Sequence, residues 1–206
     1  MSEGDFFSDG AKRQSAESVK RVEAQTSAEV VVAVRKRSGQ YGVLAYHFGA
    51  GLGALVVLLL LVSPEVYSVG VIALNGVLAL IFGALLAANL DSVRRLLARP
   101  TTLARNVSGA ARAAFFDLGI SRTSGRNGIL VYVSLFERRC VVLPDIGLDP
   151  TQLEPGWSSA AGALEQAVKR RDLNAFARAL ESLGPVLGRV HPRSADDVNE
   201  LPDEVQ

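Results

Sequence analysis

Residues 42–62 read GVLAYHFGAGLGALVVLLLLV, and a second apolar run follows at residues 66–90. Between Arg37 and Asp91 the only charged side chain is Glu65, which lies in the short turn between the two runs. A helix needs about 20 residues to cross a hydrocarbon core of about 30 Å, and each run supplies that length. The pattern predicts a transmembrane helical hairpin. A buried helical hairpin in a soluble protein is the alternative.

Basic side chains flank both ends of this apolar pair, and the connecting turn has no Lys or Arg. Those before it are Lys12, Arg13, Lys20, Arg21, Arg35, Lys36 and Arg37, and those after it are Arg94, Arg95, Arg99, Arg105 and Arg112. Basic residues favour the cytoplasmic side of a membrane. We therefore predict an integral protein of the plasma or inner membrane, with the lipid bilayer as a partner and both termini in the cytoplasm.

Small residues recur at helical spacing in both runs. Gly49 and Gly53 form one such face, and Ala79, Gly83 and Ala87 form another. Faces of this kind let helix backbones approach closely. We expect the two helices to pack against each other, and a homodimer through either face is the alternative.

Two strongly polar side chains lie within the apolar runs, His47 and Asn75. Polar groups at membrane depth are functional candidates. However, antiparallel packing would keep these two apart, since each lies near a different end of the hairpin. We expect His47 at the membrane interface and Asn75 in a hydrogen bond between helices.

The remainder of the chain predicts one domain that the apolar hairpin splits. Residues 9–25 have helical periodicity, and residues 28–34 form a β-branched strand too apolar to stand alone. Two further buried strands are predicted at residues 128–135 and 140–143, and amphipathic helices surround them. The fold class expected is α/β, a small mixed sheet covered by helices, with the two-helix transmembrane hairpin inserted.

Apolar spacing locates the helices that follow the hairpin. One runs from Leu103 to Leu118 and stops at Gly119. Another follows Trp157, Ala161, Leu164 and Val168, and a last one is capped by Asp172 and interrupted or ended by Pro185. The predicted organisation is residues 1–41 as the first part of the split domain, 42–90 as the hairpin, 91–191 as the remainder and 192–206 as an acidic disordered tail.

Composition excludes several kinds of site. The 206 residues include 22 basic and 21 acidic side chains, and no basic stripe interleaved with aromatics indicates nucleic acid. One cysteine, Cys140, leaves neither an internal disulfide nor a cysteine metal site, and its apolar surroundings favour a buried thiol. Two histidines provide neither a histidine-centred triad nor a zinc cluster.

Five short motifs in order resemble the TPM domain family, also called TPM phosphatase, over residues 10–35 and 102–190. The motifs are Thr26-Ser27-Ala28-Glu29-Val30-Val31-Val32, Ala114-Phe115-Phe116-Asp117-Leu118-Gly119-Ile120, Thr123 with Arg126-Asn127-Gly128-Ile129-Leu130, Glu137-Arg138-Arg139 and Asp145-Ile146-Gly147. The resemblance implies a membrane-tethered domain with a small mixed sheet. It also implies roles that range from photosystem II repair and receptor association to an acid phosphatase activity, with a divalent metal in some members.

Polar residues at the predicted strand ends form a candidate site, because ligands of α/β sheets bind beyond strand ends. This polar cleft comprises Glu29, Thr123, Arg126, Asn127 and Asp145. Carboxylates of Glu29, Asp145 and Asp149 could hold Ca²⁺ or Mg²⁺, and Arg126 could hold a phosphate. The structural alternative is a Glu29–Arg126 ion pair, a turn at Asn127 and a capping role for Asp145.

Two functions follow from these features. The first is a non-enzymatic interaction or accessory module at the cytoplasmic membrane face, with a membrane or cytoplasmic protein as partner. The second is a weak metal-assisted acid phosphatase, a phosphomonoester hydrolase that would use Asp145 and Glu29. No nucleophile with a neighbouring base is evident in the sequence, which favours the first.

Overall fold

The computed structural model describes residues 8–193 and 200–201 and divides the chain into two compact units. The sheet unit comprises the described residues up to Ser38 and from Ala104 onward, and the helical unit is Gly39–Leu103. In chain order the helical unit lies between the first strand and the remaining strands of the sheet unit.

The sheet unit is an α/β domain with a three-stranded mixed sheet of order β1-β2-β3. Its strands are β1 (Glu29–Arg35), β2 (Gly128–Ser134) and β3 (Arg139–Pro144). β1 runs parallel to β2 and β2 runs antiparallel to β3. The prediction that the N-terminal strand joins the later pair is therefore confirmed, and each predicted strand agrees with the structure within two residues.

Helices occupy both faces of this sheet. Those of the sheet unit are α1 (Asp9–Glu23), α5 (Pro100–Asp117), α6 (Gly156–Arg170), α7 (Leu173–Glu181) and α8 (Leu183–Val190), whereas α2 (Gly42–Val62), α3 (Val69–Asn89) and α4 (Asp91–Leu97) belong to the helical unit. Side chains alternate along a strand, so Val30 and Val32 join the core with α1, α6, α7 and α8, whereas Val31 and Ala33 join the core with α5. β1 is thus apolar throughout because it is buried on both faces.

Local chemistry explains several helix ends. The Ser8 side chain accepts from the backbone N–H of Ala11 at the start of α1, and Asp172 caps α7 by accepting from Ala175. The predicted cap at Asp172 is confirmed. α7 ends at Glu181 and α8 begins at Leu183. Pro185 therefore lies in the first turn of α8, where its missing N–H costs no helical hydrogen bond.

The helical unit contains α2 and α3, each 21 residues long and each long and apolar enough to cross a membrane. Most of their side chains are exposed. The large apolar side chains exposed on them include Leu55, Leu58, Leu59, Leu61, Val62, Val69, Leu74, Val77, Phe82 and Leu85.

Small residues let the backbones of α2 and α3 approach each other closely. A Cβ built on Gly49 would lie 2.5 Å from the carbonyl oxygen of Leu80, and one built on Gly53 would lie 2.9 Å from that of Gly76. A Cβ on Gly83 would lie 3.0 Å from the Cα of Gly49. The glycines of the two predicted faces therefore pack against each other within one chain.

The polar side chains of α2 and α3 bond within their own helices. Asn75 donates from Nδ2 to the carbonyl of Val71 at 2.9 Å, and the Nδ1 of His47 lies 2.8 Å from the carbonyl oxygen of Val43. The expected hydrogen bond from Asn75 to the other helix is therefore wrong. One helical turn brings a carbonyl of its own helix within reach of a short amide side chain.

We expect Gly49→Ala to destabilise the helix pair, because its methyl group meets the backbone of α3. The expected loss is about 1–3 kcal/mol, the usual cost of overpacking a close contact. Thermal unfolding of the purified variants under one set of conditions measures it. Gly51→Ala is the control, since nothing lies within 4 Å of a Cβ there. Equal effects at the two positions would contradict the close packing.

Candidate functional site

The polar cleft forms at one end of the sheet, where β1 and β2 begin and β3 ends. Glu29 pairs in register with Gly128, and Asp145 donates its backbone N–H to the carbonyl of Gly128 at 2.8 Å. Because β3 runs antiparallel to the other two strands, its last residues return to their first ones. Glu29 and Asp145 therefore lie on either side of the same glycine.

A short loop before β2 brings the polar groups of residues 123–127 to this end. The hydroxyl of Thr123 accepts from the N–H of Asn127 at 3.1 Å, and the carbonyl of Thr123 accepts from Arg126 at 3.1 Å. Asn127 then bridges to the N-terminal strand. Its carbonyl accepts from the N–H of Glu29 at 3.2 Å, and its side-chain amide donates to the carbonyl of Ser27. The turn expected at Asn127 thus joins the loop to β1.

Arg126 and Asp145 form a two-pronged ion pair. Nε of Arg126 lies 2.7 Å from Oδ2 of Asp145, and Nη2 lies 3.0 Å from Oδ1. Oδ1 also accepts from the N–H of Ile146 at 2.8 Å. The Asp145 side chain is 3% exposed and that of Arg126 is 46% exposed. A buried carboxylate is thus neutralised by a guanidinium that reaches solvent.

The backbone that follows β3 packs directly against the loop before β2. Gly147 donates to the carbonyl of Arg126 at 2.9 Å, and a Cβ on Gly147 would lie 2.5 Å from the carbonyl oxygens of both Gly125 and Arg126. Arg126 itself has φ of 52°, a left-handed conformation that costs a non-glycine residue roughly 1 kcal/mol. Contacts with Gly147 and Asp145 hold it there.

The structure brings the five residues of the predicted cleft to one end of the sheet, and it shows the carboxylate of Asp149, a further predicted metal ligand, in contact with Thr151. Asp149 is fully exposed and accepts from the N–H and hydroxyl of Thr151 at 2.9 and 2.7 Å. These hydrogen bonds lower the pKa of Asp149. Within the part of the chain that the structure describes, no group of three or more His, Cys, Asp or Glu is placed to hold a metal ion.

Two features of this end were not predicted. The Oδ1 atom of Asn127 is buried and has no hydrogen-bond partner. The C-terminal residues Glu200 and Leu201 contact the cleft, although residues 192–206 were expected to be disordered. Residues 194–199 and 202–206 lie outside the described residues. A contact that two residues make leaves no periodic pattern in the sequence, so the sequence alone did not indicate it.

A groove on the α5 face adjoins the end of β3. Its volume is about 180 Å³, and Arg112, Phe115, Phe116, Leu143 and Pro144 line it. Phe116 is 69% exposed and packs edge-on against Phe115. Two residues beyond Pro144, Ile146 is 82% exposed. In the described part of the sheet unit, these are the two large apolar side chains that remain exposed.

A second buried polar cluster lies at the opposite end of the sheet. The hydroxyl of Ser38 donates to Ser134 at 2.6 Å and lies 3.0 Å from the hydroxyl of Tyr132. The Glu137 carboxylate accepts from the N–H of Ser38 at 2.9 Å and from the hydroxyl of Ser134. The cluster satisfies its own groups and holds the chain where it leaves β1, so we assign it a structural role.

The thiol of Cys140 is buried, as the sequence predicts. Burial raises the pKa of Cys140 far above its ordinary value, and the negative charge of Glu165 raises it further. A thiol of this kind stays protonated at neutral pH and is a poor nucleophile.

Comparison with known proteins supports the fold alone. Neither a family model nor a curated protein matches the chain. A solved structure that does match is the NMR structure of the BA42 protein from the psychrophilic bacterium Bizionia argentinensis, with a TM-score of 0.57 and 16% sequence identity. The match covers 96% of this chain and 92% of that chain. The fold and site together define a small α/β protein with a polar cleft at one end of a mixed sheet.

We expect Arg126→Met to lower the free energy of unfolding by about 1.5–3 kcal/mol, because it leaves the buried carboxylate of Asp145 without its charged partner. Thermal or urea unfolding of the purified protein measures the loss. The matched control is Arg139→Met, which removes a 3.4 Å contact with Glu165 between two partly exposed side chains. Its expected cost is below about 1 kcal/mol. Equal losses would contradict a special role for the Arg126–Asp145 pair.

Proposed function

We propose that this chain is a membrane-anchored, TPM-like accessory protein that binds a protein partner at the cytoplasmic face of the plasma or inner membrane. The TPM-like assignment rests on the five sequence motifs and their order. Three of those motifs, at Glu29, at Thr123 with Arg126 and Asn127, and at Asp145, supply the residues of the polar cleft.

The exposed surface of α2 and α3 supports the membrane anchor. Soluble monomers rarely expose apolar patches beyond a few hundred Å². Here, helices of 21 residues present exposed leucine, valine and phenylalanine along their length, while Gly49, Gly53, Gly76 and Gly83 face the other helix. A helix buried in a soluble core would instead cover these large side chains.

Strand pairing supports the proposed topology. β1 precedes α2 and α3 in the chain, β2 follows them, and the two strands pair directly. If α2 and α3 cross a bilayer, the chain must return to the side from which it left. The Lys and Arg residues that flank the helices assign that side to the cytoplasm.

We therefore expect a reporter fused after Gln206 to behave as cytoplasmic, so that a fused green fluorescent protein fluoresces and an export-dependent phosphatase stays inactive. A second pair of fusions, made after Glu65 in the connecting turn, should give the opposite result. An active export reporter at Gln206 would overturn the orientation.

The apolar groove beside Pro144 is the observation that carries the proposed binding function. Interface cores are enriched in aromatic residues and arginine, and the groove combines Phe115 and Phe116 with Arg112. Exposed Phe116 and Ile146 extend its apolar surface. The guanidinium of Arg112 favours a partner segment that carries an acidic residue beside an aliphatic one.

The phosphatase alternative is less well supported by the geometry. Both carboxylate oxygens of Asp145 already accept hydrogen bonds from Arg126, which holds the group as an ion-paired carboxylate. Such an arrangement fixes a loop, whereas a nucleophile or base needs an oxygen directed at the substrate. The unpartnered Oδ1 of Asn127 is the feature of the cleft that favours a ligand there.

We expect Phe116→Asp to abolish the binding of a partner that co-purifies with the wild-type protein from solubilised membranes, because a charge enters the centre of the apolar groove. Ala163→Asp is the control: it places the same charge at an exposed position of α6, which packs on the other face of the sheet. Quantitative mass spectrometry of the purified complexes measures the loss. Equal retention by the two variants would contradict a binding role for the groove.

The same preparations test the enzymatic alternative. Hydrolysis of phosphomonoesters by the wild-type protein with Mg²⁺ or Ca²⁺, lost in Asp145→Asn, would replace the accessory role with the phosphatase. Hydrolysis that the substitution leaves unchanged would come from a contaminant and would leave the accessory role in place.

A further inference from the structure

Glu200 and Leu201 make three hydrogen bonds at the polar cleft, two with Ser124 in the loop that builds it and one with Glu29 of the cleft itself. The carboxylate of Glu200 accepts from the backbone N–H of Ser124 at 2.9 Å and from its hydroxyl at 2.6 Å. The backbone N–H of Leu201 donates to Oε2 of Glu29 at 3.4 Å. Ser124 lies between Thr123 and Gly125 in the loop that builds the cleft, so the tail is held by both the loop and β1.

The contact is complementary in hydrogen bonding. The loop offers two donors to an acidic side chain, and the buried carboxylate of Glu29 offers an acceptor to the next backbone N–H. The hydroxyl and the N–H of Ser124 lower the pKa of Glu200, in that order of size. Glu200 therefore binds as a carboxylate at neutral pH.

The side chain of Leu201 supplies an apolar contact next to these polar ones. It packs against the core cluster on the α5 face of the sheet, which includes Phe115, Ile120 and Leu130. Phe115 also lines the groove beside Pro144. The tail therefore covers part of the same apolar cluster that the groove opens onto.

We propose that the polar cleft is a recognition site for a peptide with a glutamate followed by a leucine, and that the chain's own Glu200-Leu201 segment occupies it. The segment acts as a tethered competitor, so an external peptide with the same chemistry must displace it. This competition rests on the proposed partner-binding function, whereas the contact of the tail with the cleft does not depend on it.

Hydrogen exchange on the full-length protein in detergent tests the contact itself. The amide of Ser124 should exchange about tenfold faster in Glu200→Ala, Leu201→Ser than in the wild-type protein, because its acceptor is lost. Asp203→Ala, Glu204→Ala is the matched control, since it removes tail charges but keeps Glu200 and Leu201. Unchanged exchange at Ser124 in the first variant would overturn the proposal.

Competition with a synthetic peptide tests recognition. The probe is a dye-labelled peptide of residues 197–206, DVNELPDEVQ, and a scrambled peptide of the same composition is its control. We expect the probe to bind Glu200→Ala, Leu201→Ser about tenfold more tightly than the wild-type protein, in which the tethered segment competes. Adding Ser124→Ala to that variant should weaken probe binding again.

The two measurements separate the tail contact from the wider proposal. Equal affinity for the probe and its scramble, or equal affinity of the variant and the wild-type protein, would overturn the recognition site. If Phe116→Asp leaves every co-purifying protein in place, the partner-binding function fails, but faster exchange at Ser124 would still establish the contact of the tail with the cleft.

Discussion

The parallel pairing of β1 with β2 is the interaction on which the sheet unit depends. Seven residue pairs, from Glu29↔Gly128 to Arg35↔Ser134, join strands that the helical unit separates in the chain. β1 is buried on both faces, and a strand of that kind cannot remain exposed to water without partners. The pairing therefore requires the chain to leave the sheet unit, complete the whole α2 and α3 hairpin and return to the strand beside the one it left.

The same pairing assembles the polar cleft. Parallel strands that begin together place Glu29 beside Gly128, and the antiparallel return of β3 places Asp145 on the other side of that glycine. Asn127 then bonds to the backbone on both sides of β1's start, at Ser27 and Glu29. A change that separated the two strands would therefore dismantle the cleft as well as the core.

The cleft combines a rigid part with an occupied part. The Arg126–Asp145 pair and the contact of Gly147 with the loop carbonyls fix the backbone, which leaves the donors of Ser124 directed at Glu200. Charge on a buried carboxylate is costly unless it is paired, and Arg126, which has a left-handed backbone conformation, supplies that pairing for Asp145. Beside the cleft, the groove formed with Phe116 and Pro144 remains open. The accessory role that we propose uses both surfaces.

The sequence by itself determined the α/β class, the three strands, the apolar lengths of α2 and α3, the cap at Asp172 and the five residues of the cleft. These features depend on local periodicity and on which strands need partners, and both can be read from the order of residues. Only the tertiary structure decided that Arg126 pairs with Asp145 and that Glu200 reaches Ser124. Asn75 and Asp149 bond within four positions of themselves, to Val71 and Thr151, so those two contacts are local. Arg126 and Asp145 are 19 positions apart and Glu200 and Ser124 are 76 apart, and several partners of equal chemistry were available for each. The choice among them is set by distances within the packed chain, which spacing in the sequence does not specify.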